Sequence, residues 1–243
     1  MTYCVGLKID RGLVFMSDTR TNAGMDSIST FRKMHVWEQP GERVVVLMSA
    51  GNLATTQAVV SLLDERSKAI SERHQTLLET PSMYQTARIV GDTVKEVIAS
   101  SAPVGEKADS YFNASFILGG QIKGSEPRLF TIYPEGNFIE STDDTPFFQI
   151  GETKYGKPIL IRAYDRRMSV AEAVKLMLVS FDSTLKSNLS VGLPLDLLFY
   201  GQDSFKIELK QRIGQDDPYY RTISDGWSKA LKSAFQQLPD FPG

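Results

Sequence analysis

The chain contains two kinds of hydrophobic pattern, one with a period of two residues and one with a period near 3.6. From Thr2 to Ile9, apolar and polar residues alternate, and the segment GLVFMSDTR continues the pattern after a turn at Asp10–Gly12. We therefore predict a β-hairpin at the start of the chain. A third strand, ERVVVLMSAG, ends in glycine and leads into a helical pattern from about Leu53 to Ile70.

The rest of the chain repeats this succession of strands and helices. A second helix opens with the capping-box pair Ser82 and Gln85. The extended segments YFNASFILGG, RLFTIYPEGNFIES and PFFQIG follow it. Another capping box, Ser169 with Glu172, opens the clearest amphipathic helix, after which LPLDLLFYG and FKIELKQRI return to strand. The predicted order is β-β-β-α-α-β-β-β-α-β-β, with a last helix at about Tyr219–Leu238.

This order of elements favours one fold class. Runs of strands separated by helices suit an α+β sandwich, in which two sheets lie face to face with helices outside. A parallel sheet built from βαβ units would require strict alternation of strand and helix. Because no linker or low-complexity segment divides the chain, we predict one domain over residues 1–215 and a C-terminal helical extension over 216–243.

Composition and charge exclude several classes of function. The chain has 243 residues, of which 42% are hydrophobic and 23% charged, enough for a large buried core. Its net charge of -2 comes from 27 basic and 29 acidic residues spread along the chain. No basic stripe therefore predicts nucleic-acid or membrane binding. The apolar runs are too short to span a bilayer and no signal-peptide pattern is present, so we expect a cytoplasmic protein.

Several familiar catalytic patterns are missing from the sequence. Cys4 is the only cysteine, and with His35 and His74 it gives no metal-ligand spacing. No G-x-S-x-G motif indicates a serine hydrolase. The segment GETKYGKP, residues 151–158, is similar to a phosphate-binding loop, but Pro158 occupies the place of the serine or threonine that binds magnesium. We interpret this segment as a strand-to-helix turn.

Thr2 is the candidate nucleophile that remains. An N-terminal threonine carries a hydroxyl and a free α-amine on one residue, so nucleophile and base are already in place. The amine titrates near pH ~8 and can accept the hydroxyl proton. This chemistry requires that Met1 is removed. It also requires a cation near the nucleophile, a carboxylate that orients the cation, and a backbone donor for the oxyanion.

The segment TYCVGLKIDRGLVFMSDTRTNAG resembles the opening of a proteasome β-subunit, a family of N-terminal nucleophile hydrolases. The resemblance implies that Thr2 is the nucleophile and that Asp18 orients a catalytic lysine. The segment FRKMHVW resembles the next block of the family and supplies that lysine, Lys33. Arg20 and Asn22 are implied to shape the neighbouring loop and to bind the substrate backbone.

Two later segments also resemble the family. LMSAGNLATTQAV implies that the amide of Gly51 binds the oxyanion and that Ser49 forms the floor of the substrate pocket. KSNLSVGLPLDLLFY resembles the segment that supports the threonine amine. Ser190 matches the family's serine there, whereas Ser187 occupies the position of its aspartate. We therefore include Ser190 among the catalytic residues and Ser187 among those that contact substrate.

The block IGETKYGKPIL and the extra C-terminal helix resemble the bacterial Anbu, or ancestral β-subunit, group. This resemblance implies a four-layer αββα sandwich that assembles with copies of itself into a ring or an open spiral. Such an enclosure would admit peptides or unfolded proteins. No metal or organic cofactor is implied. Because the chain has no credible phosphate-binding loop, any ATP-driven unfolding would require a separate ATPase.

The resemblance thus implies a threonine-type endopeptidase that transfers the acyl group of a peptide first to Thr2 and then to water. Two alternatives remain open. The same fold and nucleophile could hydrolyse small amides, because a fold does not determine its substrate. The chain could also be an assembly protein that keeps the site with little or no activity, and the Ser187 substitution is the one hint of this in the sequence.

Overall fold

The protein is built from strands and helices in the order that the hydrophobic pattern predicts, with additional strands and one additional short helix before the amphipathic one. The computed structural model describes residues 1–22, 28–68, 75–101 and 112–242. The strands are β1 (Tyr3–Ile9), β2 (Gly12–Asp18), β3 (Arg20–Asn22), β4 (Ile28–Thr30), β5 (Met34–Gln39), β6 (Arg43–Gly51), β7 (Ala114–Ile122), β8 (Arg128–Ile132), β9 (Phe138–Glu140), β10 (Phe147–Gly151), β11 (Leu195–Gly201) and β12 (Ile207–Ile213). The helices are α1 (Leu53–Lys68), α2 (Met83–Ser101), α3 (Lys157–Ala163), α4 (Val170–Ser187) and α5 (Pro218–Gln236).

Two antiparallel five-stranded sheets form the centre of the fold. One has the strand order β10-β1-β2-β11-β12 and the other β5-β6-β7-β8-β9, while β3 and β4 form a separate two-stranded ribbon. In the first sheet β1 lies between β10 and β2: Cys4 lies opposite Ser17 of β2, and Tyr3 lies opposite Gly151 of β10. The start of the chain is therefore held between two strands.

Helices cover the outer face of each sheet, which gives four layers. Tyr3, Val5 and Leu7 of β1 pack on the side of α3 and α4, while Cys4 packs between the two sheets with Phe15. Helices α1 and α2 cover the outer face of the second sheet. Because both faces of β1 are buried, its alternation is between two cores rather than between core and solvent. The predicted α+β sandwich, in its αββα form, is confirmed.

Local sequence signals explain where the helices begin. Ser169 Oγ accepts a hydrogen bond from the Glu172 amide at 3.2 Å, and the Ser169 amide donates to Glu172 Oε2 at 2.9 Å, which is the predicted capping box of α4. Helix α3 begins one residue before Pro158. Proline has no backbone N–H, but the first N–H groups of a helix have no partner within the helix, so no hydrogen bond is lost there. The prediction that GETKYGKP is a strand-to-helix turn is therefore confirmed.

The sequence pattern missed three strands near the start of the chain. Strands β3 and β4 have three residues each, which is too few to show a period of two. Strand β5 is half-exposed and was not predicted. It pairs with β6 at the edge of the second sheet, with Met34 opposite Met48. Its position matters because it begins directly after Lys33.

Helix α5 joins the fold through its first half only. The Tyr220 hydroxyl donates to Asp182 Oδ1 of α4 at 3.3 Å, and Ile223 packs against the same core. From Lys229 onward its side chains are exposed. The predicted division of the chain at residue 215 stays a prediction. In the part of the chain that the structure describes, no helix is long and apolar enough to cross a membrane.

Candidate active site

A buried ion pair lies where β2 ends, beside the start of the chain. Lys33 Nζ is 2.6 Å from Asp18 Oδ1 and donates a second hydrogen bond to the Arg20 carbonyl at 2.7 Å. Asp18 Oδ1 also accepts from the Tyr3 amide at 3.0 Å, and Asp18 Oδ2 accepts from the Gly192 amide at 3.3 Å. Asp18 therefore connects β1, Lys33 and the turn that precedes β11.

The environment of this pair is strongly desolvated. The side chain of Asp18 is 0% exposed and that of Lys33 is 5% exposed. Burial raises the pKa of the Asp18 carboxyl, whereas Lys33 and the two backbone amides favour its charged form. A buried pair requires such additional hydrogen bonds, because attraction alone does not repay its desolvation. The result is a fixed cation at the start of β1.

This cation acts on the N-terminal amine of the chain. The pKa of the Met1 amine is lowered, first by burial and then by the charge of Lys33, while Asp18 partly opposes the shift. A lowered amine pKa increases the fraction of free base at neutral pH. The surroundings that a base at this end of the chain needs are therefore already present with Met1 in place.

The backbone of Thr2 is held by the end of β10. The Glu152 amide donates to the Thr2 carbonyl at 2.6 Å, and Thr2 as a whole is 9% exposed. Gly151 has a φ of +83°, and a Cβ at this position would lie 2.0 Å from the Thr2 carbonyl oxygen. Only glycine permits both the dihedral angle and the close approach. Gly151 and Glu152 thus fix the position of Thr2.

An open cleft of about 790 Å³ runs past Thr2. Thr2, Lys33, Ser49 and Gly51 all line it, so the structure brings these predicted site residues together. Gly51 ends β6 with a φ of +118°, and a Cβ there would lie 2.2 Å from the Asn113 carbonyl oxygen. One wall of the cleft is formed by Asn52 and the start of α1. It combines the polar, uncharged side chains of Asn52, Thr56, Gln57 and Ser61 with the apolar Leu53 and Val60.

The predicted loop residues on this side have different surroundings. Arg20 Nη1 donates to the Leu189 carbonyl at 2.9 Å, and its guanidinium lies against Gly192. Arg20 therefore holds the turn after α4, while its own carbonyl holds Lys33. The backbone of Asn22 belongs to β3, but its side chain lies outside the described residues. Thr21, the residue before Asn22, does line the cleft.

Ser187, the last residue of α4, and Ser190, in the turn after it, are the predicted supports of the amine. Ser187 is exposed, and its hydroxyl donates to the Ser183 carbonyl of its own helix at 2.8 Å. The amide of Ser190 donates to Asn188 Oδ1 at 2.9 Å. The Ser187 hydroxyl is therefore used within α4. The roles predicted for both serines stay predictions.

Glu152, which contacts the backbone of Thr2, was not among the predicted site residues. Glu152 is 6% exposed, and its Oε2 accepts a hydrogen bond from Asn188 Nδ2 at 2.9 Å. Glu152 lies in the block that resembles the Anbu group, but nothing in its spacing indicates that it faces Thr2. A buried carboxylate in a turn leaves no periodic signal in a sequence.

The cysteine and the histidines have different surroundings. The Cys4 thiol lies 3.6 Å from the Ser49 carbonyl oxygen, and burial raises its pKa, which disfavours the reactive thiolate. His35 lines the cleft, where burial and Arg32 lower its pKa. His74 lies outside the described residues. Within those residues, no group of three or more His, Cys, Asp or Glu side chains could hold a metal ion.

Comparisons with known proteins place these features in a family. The family model described as "Proteasome subunit" matches residues 2–193. The proteasome subunit beta of Haloquadratum walsbyi is 23% identical over 208 residues, which cover 85% of this chain and 76% of that protein.

Solved structures extend the likeness to the whole chain. Anbu from Hyphomicrobium sp. strain MC1 is 55% identical with a TM-score of 0.93, covering 100% of both chains. A structure described as the helical assembly of the Anbu complex from Pseudomonas aeruginosa is 47% identical with a TM-score of 0.91, covering 100% of this chain and 99% of the other. The chain belongs to the proteasome subunit family, in the group of the Anbu, or ancestral β-subunit, proteins.

Proposed function

We propose that the chain is a threonine peptidase whose nucleophile is Thr2, exposed by the removal of Met1. The observation that carries this proposal is the buried pair of Asp18 and Lys33 next to Thr2, with an open cleft alongside. A buried ion pair contributes little to stability compared with apolar packing, so its presence at the mouth of a cleft favours a chemical role. The substrates are peptides or unfolded proteins.

The proposed reaction is acyl transfer in two steps. Thr2 Oγ attacks the peptide carbonyl, and the α-amine of Thr2 takes the hydroxyl proton. The charge of Lys33 lowers the pKa of the Thr2 hydroxyl and of the Thr2 amine, and Asp18 keeps Lys33 in place. The Gly51 amide binds the oxyanion, an interaction of about 3 kcal/mol in comparable sites. The amine protonates the leaving amine, an ester forms on Thr2, and water that the same amine activates releases the acid product.

The polar groups on this wall of the cleft support a peptide as substrate. Ser49 lines the cleft, and as the proposed floor of the substrate pocket a serine makes that pocket less apolar. Asn52, Gln57 and Ser61 offer amide and hydroxyl groups along its side. A peptide backbone presents donors and acceptors in alternation, so a wall of this kind can pair with an extended segment. An amidase for small amides would leave most of this wall unused.

The proposed peptidase works as a homo-oligomer, either a ring or an open spiral. Leu231, 50% exposed, and Phe235, 76% exposed, lie four residues apart on one face of the exposed half of α5, and Leu238, 65% exposed, follows just beyond the end of the helix. Such an apolar row on a helix that leaves the fold favours a second copy as partner. The Pseudomonas aeruginosa structure, described as a helical assembly, supports the same proposal. A separate ATPase would supply any unfolding.

The test is the intact mass of the purified protein, before and after treatment with an epoxyketone or β-lactone directed at N-terminal threonine. We expect loss of Met1 and one adduct, which peptide mapping places on Thr2. Thr2→Ala should abolish both adduct and peptide turnover and leave assembly intact, because the proposed contacts between copies lie at α5. Thr30→Ala, an exposed threonine of β4, is the matched control. Peptide turnover by Thr2→Ala would refute the proposed nucleophile.

The pH dependence of this labelling provides a second test. Burial and Lys33 lower the pKa of the Met1 amine below its usual value of 8.0. We expect the same two causes to act on the amine of Thr2 once Met1 is removed, because Thr2 is buried and lines the same cleft as Lys33. The free amine is the base, so labelling should rise with pH and reach half of its maximum below pH 8. A midpoint above pH 8 would exclude the amine as a base tuned by Lys33.

A further inference from the structure

We propose that Glu152 is a positioning residue of this active site, because its carboxylate fixes the turn after α4 against the Asp18–Lys33 pair. The proposal rests on the proposed threonine chemistry. Glu152 does not touch the reacting atoms. It acts through Asn188 at the start of the turn, and the end of the turn contacts Asp18.

Glu152 is a buried carboxylate in which both oxygens are occupied. It is 6% exposed, Oε1 accepts from the Lys154 amide at 3.0 Å, and Oε2 accepts from Asn188 Nδ2 at 2.9 Å. A carboxylate buried to this degree is costly unless it is hydrogen-bonded. Its own amide meanwhile donates to the Thr2 carbonyl at 2.6 Å. One residue therefore contacts both the backbone of the nucleophile and the turn after α4.

Asn188 connects Glu152 to the turn through its side-chain amide. Its amide N–H ends α4 by donating to the Thr184 carbonyl at 2.8 Å. Its side chain donates to Glu152 through Nδ2 and accepts the Ser190 amide through Oδ1 at 2.9 Å. The carboxylate selects which end of the side-chain amide faces it, because only the NH₂ group can donate. With that choice made, Oδ1 must face Ser190.

The far end of the same turn contacts the Asp18–Lys33 ion pair. The Gly192 amide donates to Asp18 Oδ2 at 3.3 Å, and Arg20 holds the Leu189 carbonyl at 2.9 Å. A turn released at Asn188 would loosen the Gly192 contact, which leaves Asp18 with one donor fewer. Glu152 thus influences the orientation of Asp18, and hence of Lys33, from the opposite side of Thr2.

The experiment compares Glu152→Ala and the milder Glu152→Gln with the wild type, in the assembled protein. Three quantities are measured: the rate of β-lactone labelling at Thr2, kcat and KM for a peptide substrate, and hydrogen exchange of residues 188–192. We expect both variants to lower the labelling rate and kcat, by about 10- to 100-fold for Glu152→Ala, with KM within about twofold. Exchange in the turn should become faster.

Two further variants make the result specific. Glu96→Gln removes an exposed carboxylate that also accepts two hydrogen bonds, from Arg66, and should match the wild type. The double variant Glu152→Gln with Asn188→Asp reverses donor and acceptor, and an aspartate at 188 can still accept the Ser190 amide. It should recover most of the activity that Glu152→Gln loses. This recovery would not occur if Glu152 only filled space.

Each outcome has a distinct meaning. Wild-type rates and exchange in both Glu152 variants would overturn the proposal, as would a fall in rate without faster exchange in the turn. A rise in KM at constant kcat would make Glu152 a substrate-binding residue and would overturn it as well. A wild-type protein that is not labelled at Thr2 would instead refute the proposed nucleophile itself, and the positioning role with it.

Discussion

Thr2 lies between two regions that are built in different ways. On one side, Asp18 ends β2, Lys33 directly precedes β5, and the two form an ion pair that is almost fully buried. On the other side, two turns meet through hydrogen bonds of Glu152 and Asn188. Strand ends in a sandwich are rigid, whereas turns are held mainly by their side chains. The comparison suggests that the first region supplies charge and the second supplies alignment.

The largest effect should follow from Asp18→Asn, which breaks the charged region. The buried ammonium of Lys33 would lose its partner, at a cost of about 3–5 kcal/mol in the free energy of unfolding. Labelling of Thr2 should fall by about 10³-fold, because the oriented charge is lost. Denaturant unfolding and labelling kinetics measure the two effects. Asp196→Asn, which weakens the partly exposed pair with Arg212, is the control and should cost at most about 1 kcal/mol.

A smaller effect is expected from Gly151→Ala, which disturbs the alignment region alone. The new Cβ would lie 2.0 Å from the Thr2 carbonyl oxygen, so Thr2 must move. A shift of about 1 Å in a catalytic group can reduce the rate by about 10²-fold. Gly41→Ala provides the control, because Gly41 has a similar φ of +78° and open space around it. It should show only the backbone strain, about 1–2 kcal/mol, and normal labelling.

The difference between Gly151→Ala and Gly41→Ala therefore isolates the contact with Thr2. Equal losses of stability and equal labelling in the two variants would contradict the view that β10 positions the nucleophile. In that case the alignment region would be a scaffold, and the comparison between the two sides of Thr2 would lose its basis. Labelling kinetics at matched fractions of folded protein separate the two possibilities.

The two regions also differ in how far their sequences predict them. The alternation in β1 and β2 sets the register of the hairpin, which places the end of β2 at Asp18 beside the start of the chain. The resemblance to the proteasome β-subunits then pointed to Lys33. The sandwich, its helices and the capping box at Ser169 followed from patterns of the same local kind.

The turns carry no such pattern. Asn188 and Glu152 are separated by 36 positions in the sequence, and their contact depends on how α4 packs on the first sheet. The exposure of Ser187 follows from its place in the last turn of α4, where its hydroxyl reaches the Ser183 carbonyl. Neither feature has a period or a spacing. The sequence therefore predicts the charged region well and the alignment region poorly.

The smallest effects should distinguish Ser190 from Ser187 within the alignment region. Ser190→Ala removes the hydroxyl proposed to support the amine of Thr2, and the loss of one such hydrogen bond should lower kcat by about tenfold. Ser187→Ala removes an exposed hydroxyl that donates to the Ser183 carbonyl of its own helix. Activity should therefore stay within about twofold of the wild type. Steady-state kinetics with one peptide measures both variants.

The reverse order of these two effects would change the picture of the site. A large loss in Ser187→Ala with none in Ser190→Ala would mean that the last turn of α4 rearranges when Thr2 becomes the N-terminus, so that the Ser187 hydroxyl leaves the Ser183 carbonyl and turns toward the amine. The alignment region would then contribute directly to proton transfer. The expected order keeps that task with Thr2, Lys33 and Asp18, because their charges are already fixed by the strands that carry them.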